Sequence, residues 1–237
     1  MIWVLKLMNF TNKVIKLQCH QTLVNYRKPS SFIIKETYPL PPFSTVIGLI
    51  HNVCGYKEYH DMKISIQGLS KSNTFDLQTL YNFSNSTYEE GRHQLKVITN
   101  KSVLGVNRGP QLINLISEID LTVHVKPNDD DFEFIFNSLK YPKIYPSLGR
   151  YEDLLNIKSV EIVNVEEKLN VISNNDIYVP IELIKLTQYT TLNLNKKYEI
   201  NGKFRKWVEQ IKVTILSKGQ RLEKGLCDEN GDLVILL

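Results

Sequence analysis

With 237 residues, 42% of them hydrophobic and 23% charged, the chain is long enough to bury a real core and ordinary enough in composition for a globular protein. Three cysteines without a C-x-x-C pair argue against a disulfide framework or zinc ribbon and suit a reducing compartment, and five scattered histidines form no metal-ligand cluster. No phosphate loop, dinucleotide fingerprint, nucleophile elbow or metal motif appears, so neither a cofactor nor a metal is expected.

The net charge of +4 is modest but unevenly spread. Residues 1–35 hold Lys6, Lys13, Lys16, Arg27, Lys28 and Lys35 and no acid. Residues 185–224 hold ten basic residues against Glu199, Glu209 and Glu223. Segregated basic stretches are the footprint of a polyanion binder, or else a solvated face of a mildly basic protein.

The opening MIWVLKLMNF lacks a basic leader and a small-residue cleavage site, and at about ten residues it is too short to span a bilayer. Ile2–Met8 instead reads as a buried strand, with Val14–Val24 extending it or forming a second arm, and the cytoplasm is the expected location. After the Pro39–Pro42 run a short apolar helix is expected, with Ser44 as N-cap and Gly55 past its end. Met62, Ile64 and Ile66 alternate as a half-buried strand. A polar stretch follows, roughly 70–112, too long to be idle in a compact domain, with Leu95–Ile98 as one arm of a protruding hairpin.

Ile119, Leu121, Val123 and Val125 alternate strictly as a second central strand. Asp129, Asp130 and Asp131 open a helix whose apolar stripe is Phe132, Ile135, Phe136 and Leu139 and which Pro142 stops. Val160–Val165 is a further strand. From about Asn174 short apolar runs alternate with Asn201-Gly202, Lys218-Gly219 and Asn230-Gly231. The expected class is α+β: a ferredoxin-like, RNA-recognition-type βαββαβ domain over residues 1–166 with the long insertion, and a small mainly β C-terminal domain over 167–237.

Tyr26-Arg27-Lys28-Pro29, Tyr38-Pro39-Leu40-Pro41-Pro42, Ser44-Thr45-Val46-Ile47-Gly48 and Leu148-Gly149-Arg150-Tyr151-Glu152-Asp153, in that order, resemble the fifth-numbered family of CRISPR-associated proteins, closest to its type I-B branch. The likeness runs from residue 1 to about 165. It implies a non-catalytic subunit of Cascade that holds the 5′ handle of CRISPR RNA and caps the backbone filament. The implied partners are the backbone subunit, the large subunit and, through the complex, target DNA, with no membrane. It also implies that the insertion at 70–112 is a thumb-like hairpin.

The residue chemistry suits that role. Arg27 and Lys28 are placed to neutralise phosphates, and Tyr26 to stack on a base, unless it is a half-buried strand aromatic. Ser147, Gly149 and Arg150 form a turn that allows close backbone approach, unless Arg150 pairs with Glu152 or Asp153. Arg92, Lys96, Lys101 and Arg108 make a basic stripe on the insertion, with Gly105 and Gly109 for flexibility.

One branch of the family, in type I-C systems, processes precursor RNA without metal, using a base for the ribose 2′-OH and a cation for the developing charge. Tyr26, His93 and Lys96 are the candidates here, with His51, His124 and Lys126 as other available groups; His124 is expected to point away from the apolar face of its strand, toward an RNA-facing surface. A protein-binding scaffold without RNA contact is the remaining alternative.

Overall fold

The computed structural model describes residues 12–184, 189–202 and 204–237. The strand expected at Ile2–Met8 lies outside them. The order that follows is β1 (Lys13–Val24), α1 (Phe43–Cys54), β2 (Met62–Thr87), β3 (Leu95–Ile98), β4 (Val103–Pro127), α2 (Asp129–Lys140) and β5 (Asn156–Ile172). The class is α+β, mostly strand with two helices. Strands β5, β1, β4 and β2 lie side by side in that order, and every neighbouring pair is antiparallel.

Period-2 alternation builds the core. Ile15, Leu17, Ile64, Ile66, Leu121, Val123 and Val125 point to one face, where Val46, Ile47, Ile50, Phe132, Ile135 and Leu139 of the two helices cover them. Each such side chain, fully buried, stabilises the fold by about 1.5–3 kcal/mol. The residue before α1 is Pro42 rather than the expected Ser44, and no side chain caps the helix. Pro42 holds the extended backbone needed there, while Gly55 ends the helix at φ 73° as expected.

The other face is covered as well. Seven more strands follow: β6 (Asp176–Pro180), β7 (Leu192–Asn195), β8 (Tyr198–Asn201), β9 (Phe204–Trp207), β10 (Gln210–Leu216), β11 (Arg221–Asp228) and β12 (Leu233–Val234). Strands β6, β10 and β7 continue the sheet beyond β2, whereas β11 and β12 continue it beyond β5. The boundary expected at residue 166 falls inside β5, whose second half pairs with β11. Asn201-Gly202 and Asn230-Gly231 close the β8–β9 and β11–β12 hairpins, but β10 and β11, on either side of Lys218-Gly219, do not pair.

Residues 232–237 then strap the sheet. Gln67 Nε2 donates to Leu233 O at 2.9 Å and the Ile235 N–H to Ser65 Oγ at 3.0 Å. Ile64 and Leu237 exchange two backbone hydrogen bonds of 2.9 and 3.2 Å. Beneath the strap, buried Lys16 Nζ reaches Asp228 at 2.6 Å and Asp232 at 2.7 Å, and His124 Nε2 lies 3.1 Å from Asp228. His124 does point away from the helices, yet it is fully buried rather than facing RNA. The alternation is as expected; the cover comes from more than a hundred residues away.

Beyond Leu69 the β2–β4 ribbon leaves the core as a long arm, paired out to Thr87↔Leu104, with β3 joining β4 near the tip. From Ser70 to Phe83 it reaches roughly 45 Å at about 3.3 Å per residue. The stretch 70–112 is thus mainly strand, and Leu95–Ile98 is one arm of the terminal hairpin, closed by the Thr99–Ser102 turn.

Candidate nucleic-acid interface

The arm rises where β1 ends, and three segments meet there: residues 24–28, the loop 29–38, and the turn 146–155. Gln21 organises them. Its Nε2 donates to Leu148 O at 2.9 Å and Asp153 O at 3.1 Å, and its Oε1 accepts from the Tyr26 hydroxyl at 2.7 Å. Tyr26 is 1% exposed, and burial pushes its phenol well above the usual range. A ring in the core cannot stack on a base or take a proton from a 2′-OH. Tyr26 is therefore corrected from contact residue to anchor of this junction.

Asp153 is the second anchor. Its carboxylate accepts the Asn25 N–H at 3.1 Å and the Arg150 N–H at 2.8 Å, and it receives a two-pronged contact from the Arg150 guanidinium. Arg150 also meets Glu152 at 2.8 Å, so both pairings open in the sequence are formed together. Gly149 has φ 110°, and a Cβ there would lie 2.8 Å from Asp153 Oδ2 and 2.9 Å from Val24. Only glycine fits. Ser147 bridges to Leu154 across the same turn.

Basic residues gather over this scaffold. Arg27 is exposed and bridges by backbone to Thr37; Lys28 is half-buried and pairs with Glu36 at 3.1 Å. Sequence reasoning passed over Lys35, which is pinned between Leu112 and Asn114 of the arm by backbone hydrogen bonds of 3.0 Å each. Burial, then the charges of Arg27 and Arg150, push its ammonium below the usual range, against a smaller pull from Glu152. Its place in an acid-free run of 35 residues was the available signal. A cleft of about 320 Å³ opens beside these groups, its lining including Lys28 and its partner Glu36, Thr37, Asn73, Phe75 and Asn114.

The distal candidates form a separate group. Arg92 is exposed and pairs with Glu89 at 3.1 Å, Lys96 lies 5.4 Å over the Tyr88 ring, and Lys101 and Arg108 are exposed. His93 is corrected. It is buried, its Nδ1 accepts the Glu89 N–H at 3.0 Å, and its Nε2 lies 3.0 Å from Ser86 Oγ. A Cβ on Gly105 would stand 2.2 Å from the His93 ring, so this glycine serves close packing rather than flexibility. Tyr26 at the base and His93 near the tip belong to different ends of the arm. Of the other proton-transfer candidates, His51 is buried against His60 at the far end of α1 and Lys126 donates to Lys13 O at 3.1 Å.

Residues 14–109 match the model of a family described as CRISPR-associated protein (Cas_Cas5). Over those residues the chain is similar to this CRISPR-associated family. The match runs from β1 through α1 and out along the arm. No curated protein matches it. A chain from a solved "CRISPR RNA-guided surveillance complex" superposes with TM-score 0.56 at 17% identity, over 88% of this chain and 91% of that one, which shows a common fold. A "CRISPR protein from Archaeoglobus fulgidus" is similar at 12% identity over 94% and 98% of the two chains, and its TM-score of 0.43 carries no argument. Among the described residues no helix is long and apolar enough to cross a membrane.

Proposed function

We propose that this protein is a Cas_Cas5 member and a non-catalytic guide-RNA-binding subunit of a type I CRISPR surveillance complex, where it holds the 5′ handle and caps the backbone filament. The observation that carries the reading is the set Arg27, Lys35 and Arg150 at the base of the arm. Arg27 and Lys35 have no ion-pair partner among the described residues, and burial, then the nearby charges of Arg27 and Arg150, lowers the Lys35 pKa. Like charges held together on a rigid junction await a polyanion.

In this reading β5-β1-β4-β2 is a ferredoxin-like core, the arm is the thumb, and the C-terminal strands are additions to both edges. RNA-recognition domains stack bases on the open sheet face. Here the strap 232–237 roofs that face, which favours the arm base as the RNA site. Arg27 and Lys28 contact phosphate, Ser147, Gly149 and Arg150 shape the junction, and Arg92, Lys96, Lys101 and Arg108 extend the positive track along the thumb. The backbone and large subunits are the partners, and target DNA is reached through the complex.

The test is reconstitution of the complex on guide RNA with Arg27→Ala/Lys35→Ala. Loss of handle protection with a normally folded subunit is expected; full protection and assembly would remove this assignment. Cognate repeat RNA incubated with the protein in EDTA should stay intact, because Tyr26 is buried and His93 has both ring nitrogens engaged within the arm.

A further inference from the structure

Beyond its base the arm has two unlike faces. Strand register puts Phe75, Leu77, Thr79, Tyr81 and Phe83 of β2 on one face, directly opposite Asn114, Leu112, Pro110, Arg108 and Val106 of β4. The reverse face of β2 carries Asp76, Gln78, Leu80 and Asn82. Phe75, Leu77, Tyr81 and Phe83 are each more than half exposed, and Leu112 is nearly so. At about half exposure these five side chains leave on the order of 500 Å² of apolar surface in water, the upper end of what a monomer exposes.

The chemistry of this face suits protein better than nucleic acid. Its paired positions hold one cation, Arg108, and neither an acid nor a lysine. Aromatic residues and arginine are enriched at the centres of protein interfaces, where lysine is depleted. The spacing also points to what covers the face. Counted from Thr79, large apolar side chains stand two residues away on each side, Leu77 and Tyr81, and four away, Phe75 and Phe83. A half-turn about the line from Thr79 to its partner Pro110 therefore sets Phe75 over Phe83 of a second copy, and Leu77 over Tyr81. The same half-turn sets Leu112 over Arg108 of that copy, so no like charges meet. With Thr79, Pro110 and Arg108 added, the face nears the roughly 800 Å² per partner of a standard interface.

We propose that the free protein pairs with a second copy through this face, ribbon against ribbon and antiparallel, about that two-fold axis. The faces pack as the sheets of a sandwich do, about 10 Å apart. The arm bases then lie at opposite ends of the paired ribbons, roughly 60 Å from each other at about 3.3 Å per residue. The pairing rests on the arm alone and is independent of the guide-RNA reading, which concerns its base.

The test is sedimentation velocity of the RNA-free full chain from about 1 to 100 μM, in low and in high salt. Wild type should pass from monomer to dimer over this range, and high salt should leave the dimer intact because apolar burial carries it. Leu77→Lys/Tyr81→Lys, at two exposed positions outside the core, places like charges across the axis and should weaken association about a hundredfold. Leu77→Glu/Tyr81→Glu should do the same. An equimolar mixture of the two variants should dimerise again in low salt, since each lysine then meets a glutamate of the other chain. Failure of that mixture to pair overturns the proposal. A wild type that stays monomeric throughout, as a face reserved for a different protein would give, also overturns it. So does association that survives both charged variants, or that high salt abolishes, as bridging by residual nucleic acid would.

Discussion

The Arg150 guanidinium grips the Asp153 carboxylate three residues away, with Nε at 3.1 Å and a terminal nitrogen at 2.7 Å. Asp153 is buried and also accepts the main-chain N–H groups of Asn25 and Arg150. The pair therefore staples the 146–155 turn to the end of β1. It sets the height at which Arg27 and Lys35 stand beside Arg150.

Asp153→Ala strips acceptors from the buried Asn25 N–H and from the partly buried Arg150 N–H and guanidinium. A loss of about 2–4 kcal/mol is expected, read as a lower denaturation midpoint. Arg150→Lys cannot make the fork and should recover little of the loss seen in Arg150→Ala. A Lys variant as stable as wild type would show that the fork contributes nothing.

Asp228 ties the C-terminal strap to the sheet. Burial alone would raise its carboxyl, but hydrogen bonds from His124 and Lys16 outweigh burial and hold it well below the usual carboxylate range. A depressed folded pKa means stability that is fully present above the unfolded value of about 3.9 and lost as pH falls below it. Asp228→Asn also leaves Lys16 with Asp232 alone. It should cost about 3–5 kcal/mol at neutral pH, and the acid limb of the stability profile should flatten. Thermal melts from pH 7 to pH 3 check both expectations.

Gly105→Ala places a methyl into the His93 ring, with a Cβ 2.2 Å from the ring carbon. The tip of the arm should open locally while the body stays folded, because few apolar contacts link the two. Hydrogen exchange should lose protection near residues 86–106 and keep it across β1 and the core half of β4. Protection lost evenly over the chain would contradict an independent arm.

The strand–helix order was legible because Ile119 to Val125 alternate and the two helices carry apolar stripes bounded by Gly55 and Pro142. Local pattern carries local structure. The arm was harder: Phe75, Leu77, Tyr81 and Phe83 do alternate, but they cover no core and stand exposed, and Asn, Ser and Thr on either side blur the pattern. The failures at the site share one cause. Tyr26 and His124 look like surface groups until Gln21 and the strap reach them, and the Gln21 partners and Asp228 lie more than a hundred residues away. Arg27, Lys28 and Arg150 are candidates from charge and turn chemistry, whereas Lys35 is marked mainly by its position against the arm.

The most direct test of the account is the salt dependence of 5′-handle RNA binding to the full chain, wild type against Arg27→Ala/Lys35→Ala. If these cations neutralise phosphates, the variant binds more weakly and its log–log slope is shallower by about 1.4, the value for two contacts to a single strand. Equal affinity and an equal slope would mean that the arm base is not where the guide RNA is held.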